Sequence, residues 1–142
     1  SVVPALLEAG AARVTVCART PEKAAALAAR CGGVTVSWEV LPRAAAEHGL
    51  LLNATPLGME GSPEFESLDF VQALPAKAVV YDLVYHPTDT ALMRAAEYRG
   101  LTAVGGLALL VQQAALSFAH FTGIVPDAAL CRDILQELEA AQ

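Results

Sequence analysis

Val14-Thr15-Val16-Cys17-Ala18-Arg19-Thr20-Pro21-Glu22-Lys23 begins as one kind of structure and ends as another. Val14, Thr15 and Val16 form an apolar, β-branched run that favours a pleated, buried strand. Thr20 suits a helix N-cap, because its hydroxyl can accept from a free amide of the first turn. Pro21 fits the first helical position, where no donor is needed, and Glu22 is favourable beside the positive end of the helix dipole. Arg19 therefore stands between the carboxyl end of a strand and a helix start. In an open α/β sheet that is the ligand edge. An arginine there presents a fixed cation and a planar fork of donors, suited to phosphate. Taken alone, a solvated loop arginine explains the same residues, so the rest of the chain has to decide.

Working outward, Val2 to Glu8 reads as a helix with Val3, Leu6 and Leu7 on one side and Gly10 as its C-cap. After the central stretch, a helix runs from Pro21 to about Arg30 and closes at Gly32-Gly33. Val34 to Trp38 is a second strand, and Pro42 to His48 a short helix ending at Gly49. Leu50-Leu51-Leu52 is the wholly apolar run expected of a strand buried on both faces. Asn53 to Met59 breaks it into a loop, and Glu60 to Glu64 is an exposed turn. A helix over Phe65 to Leu74 and a buried strand over Ala78 to Leu83 follow. Val84 to Pro87 leaves that strand, and Thr90 caps a helix reaching Gly100. Leu101 to Val104 is the last strand. Gly105-Gly106 opens a helix over Leu107 to Phe121, closed by Gly123. Pro126-Asp127 starts a final helix with Leu130, Ile134, Leu135 and Leu138 as its apolar stripe.

Strands alternate with helices through short loops, the pattern of an α/β, doubly wound parallel sheet. The chain opens on a helix without the strand that should feed it, and a parallel unit needs strand, crossover helix and strand. The expectation is an incomplete domain lacking its first strand and the glycine-rich turn that would follow it. Loss of a central strand leaves unpaired backbone on its neighbours, so the isolated chain is expected to be poorly stable or to aggregate.

Composition sets limits. A length of 142 residues corresponds to one domain, long enough to hide about two-thirds of its unfolded surface. The hydrophobic share of 55% is high and the charged share of 17% low, as if part of the surface were covered by something else. A net charge of -6 argues against nucleic acid and anionic membranes as general partners. An anionic ligand then needs a local cationic site. No apolar run is long enough to span a bilayer. Cys17, Cys31 and Cys131 have no metal-type spacing, which suits buried thiols in a reducing, cytoplasmic setting and argues against a structural zinc site. His48, His86 and His120 match no metal or triad spacing and are read as surface or cap residues.

Loops at Arg19-Thr20, Asn53 to Met59 and Val84 to Pro87, with the Gly105-Gly106 turn, all follow predicted strands and converge on one edge. Asn53 and Thr55 can cap turns by bonding their own backbone, which is compatible with ligand contact. Tyr85 fits a half-buried aromatic with a wet hydroxyl. Asp82, on an apolar strand, is read as a structural acceptor at the strand end. Gln112 and Gln113 on a helix are ordinarily solvated.

These motifs, in order over essentially the whole chain, resemble the C-terminal, NADP-binding part of the shikimate dehydrogenase family. Ala18-Arg19-Thr20-Pro21-Glu22-Lys23 is similar to that family's Asn-Arg-Thr-x-x-Arg/Lys signature for the adenosine 2′-phosphate, with Ala18 replacing the usual asparagine. Asn53-Ala54-Thr55-Pro56-Leu57-Gly58-Met59 resembles its Asn-Ala-Thr/Ser-x-x-Gly-Met loop beside the cofactor. Tyr81-Asp82-Leu83-Val84-Tyr85-His86-Pro87 resembles Tyr/Phe-Asp-x-x-Tyr-x-Pro, and the helix from Gly106 resembles Gly-x-x-Met-Leu-Val-x-Gln-Ala. The resemblance implies cofactor contacts from Ala18, Arg19, Thr20, Lys23, Asn53, Thr55, Leu83, Gly106 and Leu109, the last replacing a methionine. It implies substrate contacts from Tyr85 and Gln113. The implied fold is Rossmann-like, and the implied activity is NADPH-dependent reduction of 3-dehydroshikimate to shikimate in aromatic amino-acid biosynthesis. The catalytic lysine and aspartate of that family lie in an N-terminal substrate domain. Lys23 and Lys77 do not match that lysine, so residues 1–142 are expected to be a cofactor domain, inactive alone. The helices at about 107–142 are expected to pack toward the absent domain, with which the small-molecule substrate is shared. A quinate/shikimate dehydrogenase relative and a non-catalytic nucleotide-binding module are the alternatives.

Overall fold

The Val14–Lys23 stretch folds as strand then helix, and the strand, expected over Val14 to Ala18, spans Thr15–Cys17. The computed structural model describes residues 2–141, so Ser1 and Gln142, the two ends of the expected domain, lie outside the described residues. In chain order the elements are α1 (Val2–Glu8), β1 (Thr15–Cys17), α2 (Pro21–Cys31), β2 (Val34–Val36), α3 (Leu41–Ala45) and β3 (Leu50–Asn53). They continue with α4 (Asp69–Ala73), β4 (Val79–Asp82), α5 (Ala91–Tyr98), β5 (Thr102–Val104), α6 (Gly106–Thr122) and α7 (Ala128–Ala140).

Every strand pairing is parallel. The strands form two sheets, β1-β2 and β3-β4-β5, and β1 is not bonded to β3. A cavity of about 630 Å³ lies between their facing edges, lined by Val14, Val16, Leu50 and Leu52 among others. Thr15, at the start of β1, bonds His48, just before β3, at 2.9 Å. Ala18, after β1, lines the same cavity as Ala54 and Thr55, after β3. The two sheets therefore run in the same direction, separated by a slot where a doubly wound sheet carries a central strand.

Each sheet has its own apolar packing. On β3-β4-β5, Val80 packs with Phe70, Val71 and Leu74 of the α4 segment and with Leu92 and Ala96 of α5, closed by Leu101. Arg99 holds this side together by donating to the Val71 and Leu74 carbonyls at 3.3 and 2.9 Å. On the other sheet, Val14 is buried with Ala24 and Ala28 of α2. At Gly33 a Cβ would lie 3.1 Å from the Val14 carbonyl, so a small residue lets α2 turn back tightly onto β1.

Three further departures from expectation have causes in the hydrogen bonds. The strand read to Trp38 ends at Val36, because Val40 N–H and Leu41 N–H turn back to the Ser37 and Trp38 carbonyls. The helix read to His48 ends at Ala45, where the His48 ring bonds the Ala44 carbonyl at 2.8 Å. The helix read from Phe65 begins only at Asp69, whose N–H donates to Ser67 Oγ. That local turn leaves Phe65 free to pack edge-on against Trp38 and Phe70.

Candidate functional site

The carboxyl ends of β1, β3, β4 and β5 share one edge, and the loops singled out in the sequence lie on it. At the first, Arg19 and Lys23 are exposed and Ala18 and Thr20 are half-buried. Thr20 holds the N-cap position of α2, but its side chain makes no cap bond. Its ψ of 103° differs from the 160° and 164° of Thr90 and Asp127, the caps whose side chains do bond the first turn. Only the Thr20 carbonyl engages the helix, accepting from Lys23 N and Ala24 N at 3.1 and 3.2 Å. These are the ordinary first bonds of a helix, so the expected side-chain cap is absent and the hydroxyl stays available. Lys23 in the first turn places a cation against the positive end of the dipole, an arrangement that an anion would relieve. Burial, followed by the nearby Glu39 carboxylate, pushes the Cys17 thiol up from its ordinary range. Among the described residues all three cysteines are free, and no cluster of side chains is suited to a metal ion. Cys131 is buried, whereas Cys17 and Cys31 are only half-buried.

The loops after β3 and β4 form one bonded unit. Asn53 and Asp82 are opposite each other in the parallel register, and Asn53 Nδ2 donates to Asp82 Oδ1 at 2.9 Å. Asn53 Nδ2 also donates to the Leu57 carbonyl, while Asn53 Oδ1 accepts from Thr55 N at 3.0 Å and Thr55 Oγ1 at 2.6 Å. The Asn53 amide is saturated within the protein, so it shapes the loop that carries Thr55. Asp82 is fully buried and accepts from Val84 N at 3.1 Å and Thr90 Oγ1 at 2.7 Å. Val84 O in turn accepts from Gly106 N at 3.1 Å. A Cβ at Gly106 would meet the Leu83 carbonyl oxygen at 2.3 Å, so α6 enters the site only because this residue has no side chain.

Gly106, Leu109 and Gln113 are spaced to share one face of α6. Leu109 and Gln113 are exposed, as is Tyr85 after β4, while Leu83 is half-buried. Thus Asn53, Thr55, Leu83 and Gly106 are joined through hydrogen bonds and backbone contact. Arg19, Thr20 and Lys23 lie across the slot at the end of β1, whereas Tyr85 and Gln113 are exposed and, among the described residues, not hydrogen-bonded into this unit. His86 pairs with Glu60, and the Glu60 N–H donates to the His86 carbonyl, clasping the 56–64 loop to the segment after β4. Sequence reading anticipated Thr90 as a cap, which it is through Met93 N, but not its second bond to Asp82. It also missed His48 as a tie between the two sheets. No spacing signal announces either, because both partners are distant in the chain.

Residues 106–136 match the family described as the shikimate 5'-dehydrogenase C-terminal domain. The shikimate dehydrogenase (NADP(+)) of Acidiphilium cryptum strain JF-5 is 45% identical over 140 residues, covering 97% of this chain and 50% of that protein. The corresponding protein of Methylobacterium radiotolerans is 45% identical over 128 residues, covering 89% of this chain and 45% of its own length. Among solved structures, shikimate 5-dehydrogenase from Thermus thermophilus, in complex with NADP(H) and shikimate, superposes with a TM-score of 0.77 at 36% identity. That match covers 94% of this chain and 49% of the other. Quinate dehydrogenase from Corynebacterium glutamicum, in complex with NAD, gives a TM-score of 0.83 at 29% identity, covering 96% and 50%. The fold is therefore the Rossmann-like one shared by these dehydrogenases. Over nearly its whole length this chain is similar to shikimate dehydrogenases, and it spans about half the length of the curated relatives it matches.

Proposed function

We propose that this chain is the cofactor-binding part of an NADP-dependent shikimate dehydrogenase, which reduces 3-dehydroshikimate to shikimate with NADPH. The observation that carries this reading is the donor set at the end of β1. The Arg19 guanidinium, the uncommitted Thr20 hydroxyl and the Lys23 ammonium stand together at a helix start, on the ligand edge of a parallel sheet. That set fits a phosphate dianion on a ribose, whereas an acidic residue there would favour a free ribose hydroxyl. Arg19 bonds a phosphate by its planar fork, and Lys23 adds charge. Across the slot, Leu83, Thr55 and Gly106 present backbone and small groups suited to a flat amide-bearing ring, with Leu109 packing on it. Tyr85 and Gln113 offer hydroxyl and amide partners to a polyhydroxylated carboxylic acid. NADPH, when bound, supplies the hydride; this chain binds and orients. The acid/base for the proton is assigned to a lysine and aspartate of a substrate domain preceding this chain.

The same reading gives the slot and the α6–α7 surface their occupants. An upstream strand would enter the slot parallel to β1 and β3 and feed α1, whose first residues, Val2 and Val3, line it. The substrate domain would cover the apolar side chains that α6, α7 and their connection leave bare, including Phe121 (84% exposed) and Val125 (80%). Residues 1–142 expressed alone are expected to self-associate, and Phe121→Asp to reduce that association, as read by sedimentation velocity.

The test of the function is a fluorescence titration and steady-state assay on the full-length protein containing this chain. NADPH-dependent reduction of 3-dehydroshikimate is expected, with NADPH bound at least about 10-fold more tightly than NADH, the effect of one charge-assisted contact. A clear preference for NADH, or for quinate as the substrate oxidised, would instead support a quinate dehydrogenase relative.

A further inference from the structure

Asp82 is a buried carboxylate to which, among the described residues, no cation is paired. Such a group is retained only where neutral donors satisfy it. Its donors come from three separate places. Asn53 Nδ2, from the end of β3, and Val84 N, from the chain leaving β4, both meet Oδ1, at 2.9 and 3.1 Å. Thr90 Oγ1, at the start of α5, meets Oδ2 at 2.7 Å. The Oδ1 bonds reach the cofactor-facing loops, since Asn53 Oδ1 holds Thr55 and Val84 O holds Gly106 N. The Oδ2 bond reaches only a helix cap, whose hydroxyl accepts from Met93 N.

We propose that Asp82 is a positioning residue: through Oδ1 it sets Thr55, Leu83 and Gly106 at a fixed mutual spacing, and so fixes where the nicotinamide meets the substrate. This rests on the functional reading above and adds to it a division of labour. Arg19 lies across the slot on the other sheet, so it governs how tightly the cofactor binds. Asp82 touches no ligand atom and governs how productively its reacting end is held. Small misplacements at a reacting centre cost large factors in rate.

Two substitutions separate the two oxygens of Asp82. Thr90→Val deletes the Oδ2 bond and the cap but leaves Asn53 and Val84 on Oδ1. It is expected to lower the unfolding midpoint and leave kcat within about 3-fold, because no site loop is released. Asp82→Ala removes both arms. In the full-length enzyme it is expected to lower kcat by about 10- to 100-fold, with KM for NADPH changed by less than about 3-fold because the clamp at Arg19 is untouched. NADPH deuterated at the transferred position should show a larger isotope effect, since chemistry becomes limiting. Asp82→Asn should restore most of kcat. Its remaining oxygen can keep Asn53 and Val84, and its NH₂ can donate to Thr90 Oγ1.

Amide hydrogen exchange in the cofactor-free protein reads the same idea without turnover. Protection of Val84 and Gly106 should fall at least about 10-fold in Asp82→Ala and not in Thr90→Val, as expected for local rather than global opening. If Asp82→Ala lacks a cooperative unfolding transition, Asp82→Ser, which keeps one short hydroxyl, carries the same expectations. The proposal is overturned if a folded Asp82→Ala or Asp82→Ser protein keeps kcat, isotope effect and exchange near wild type. It is equally overturned if Thr90→Val reproduces all three changes, since Asp82 would then act through stability alone. An inactive wild-type protein would instead refute the functional reading, and the exchange comparison would still decide the role of Asp82.

Discussion

Arg19→Ala in the full-length protein is expected to weaken NADPH binding by about 10- to 100-fold, the worth of a charge-assisted fork on a phosphate. NADH binding should change by less than about 3-fold, because without the 2′-phosphate the guanidinium has no anion to hold. Arg19 is exposed and makes no structural hydrogen bond or ion pair among those found in the described residues, so its loss should leave the unfolding midpoint unchanged. Lys23→Ala should act in the same direction but more weakly, since an ammonium on a flexible stem acts as a point charge. Isothermal titration of each variant with both cofactors is the measurement. An equal loss for NADPH and NADH would remove Arg19 from 2′-phosphate recognition.

The second large effect is at the opposite end of the site. Gly106→Ala places a Cβ 2.3 Å from the Leu83 carbonyl oxygen, 2.5 Å from its carbon and 2.8 Å from the Val84 oxygen. All three are backbone atoms, in a segment already tied down by Asp82 and Asn53, so none can rotate away. Relief requires α6 to withdraw, breaking the Gly106 N–H to Val84 O bond. A loss of about 3 kcal/mol or more is expected, the upper range for overpacking, together with loss of activity. Gly105→Ala is the control. Its Cβ would meet the flexible end of Met93 at 3.4 and 3.5 Å, and its φ of -90° suits any residue. Chemical denaturation of the two variants compares them directly, and equal midpoints would show that α6 can shift without cost.

Much of the edge was legible in the sequence because it is built from local signals. The change of period at Val14–Lys23, Thr90 as a cap, and Gly105-Gly106 and Pro126-Asp127 as helix starts all depend on neighbours a few residues apart. Thr20 shows where such signals stop. The residue type is right for a side-chain cap and the position is right, yet the backbone torsion decides whether the hydroxyl reaches the amides. Phe65 shows the same limit, as a helical pattern was overridden by Ser67 and by aromatic packing on Trp38.

By itself, the sequence determined the alternation of strands and helices, that the first element is a helix, and the cationic group at the end of β1. These follow from hydrophobic period, capping chemistry and the order of elements. Tertiary structure alone decided that the sheet is split into two with an apolar slot between, and that Asn53 is consumed inside the protein. It alone decided that Asp82 joins three segments, since its partners Asn53 and Thr90 lie 29 and 8 residues away. Such bonds carry no periodicity. They exist because parallel register sets Asn53 beside Asp82, and because a buried carboxylate must gather donors wherever the fold supplies them.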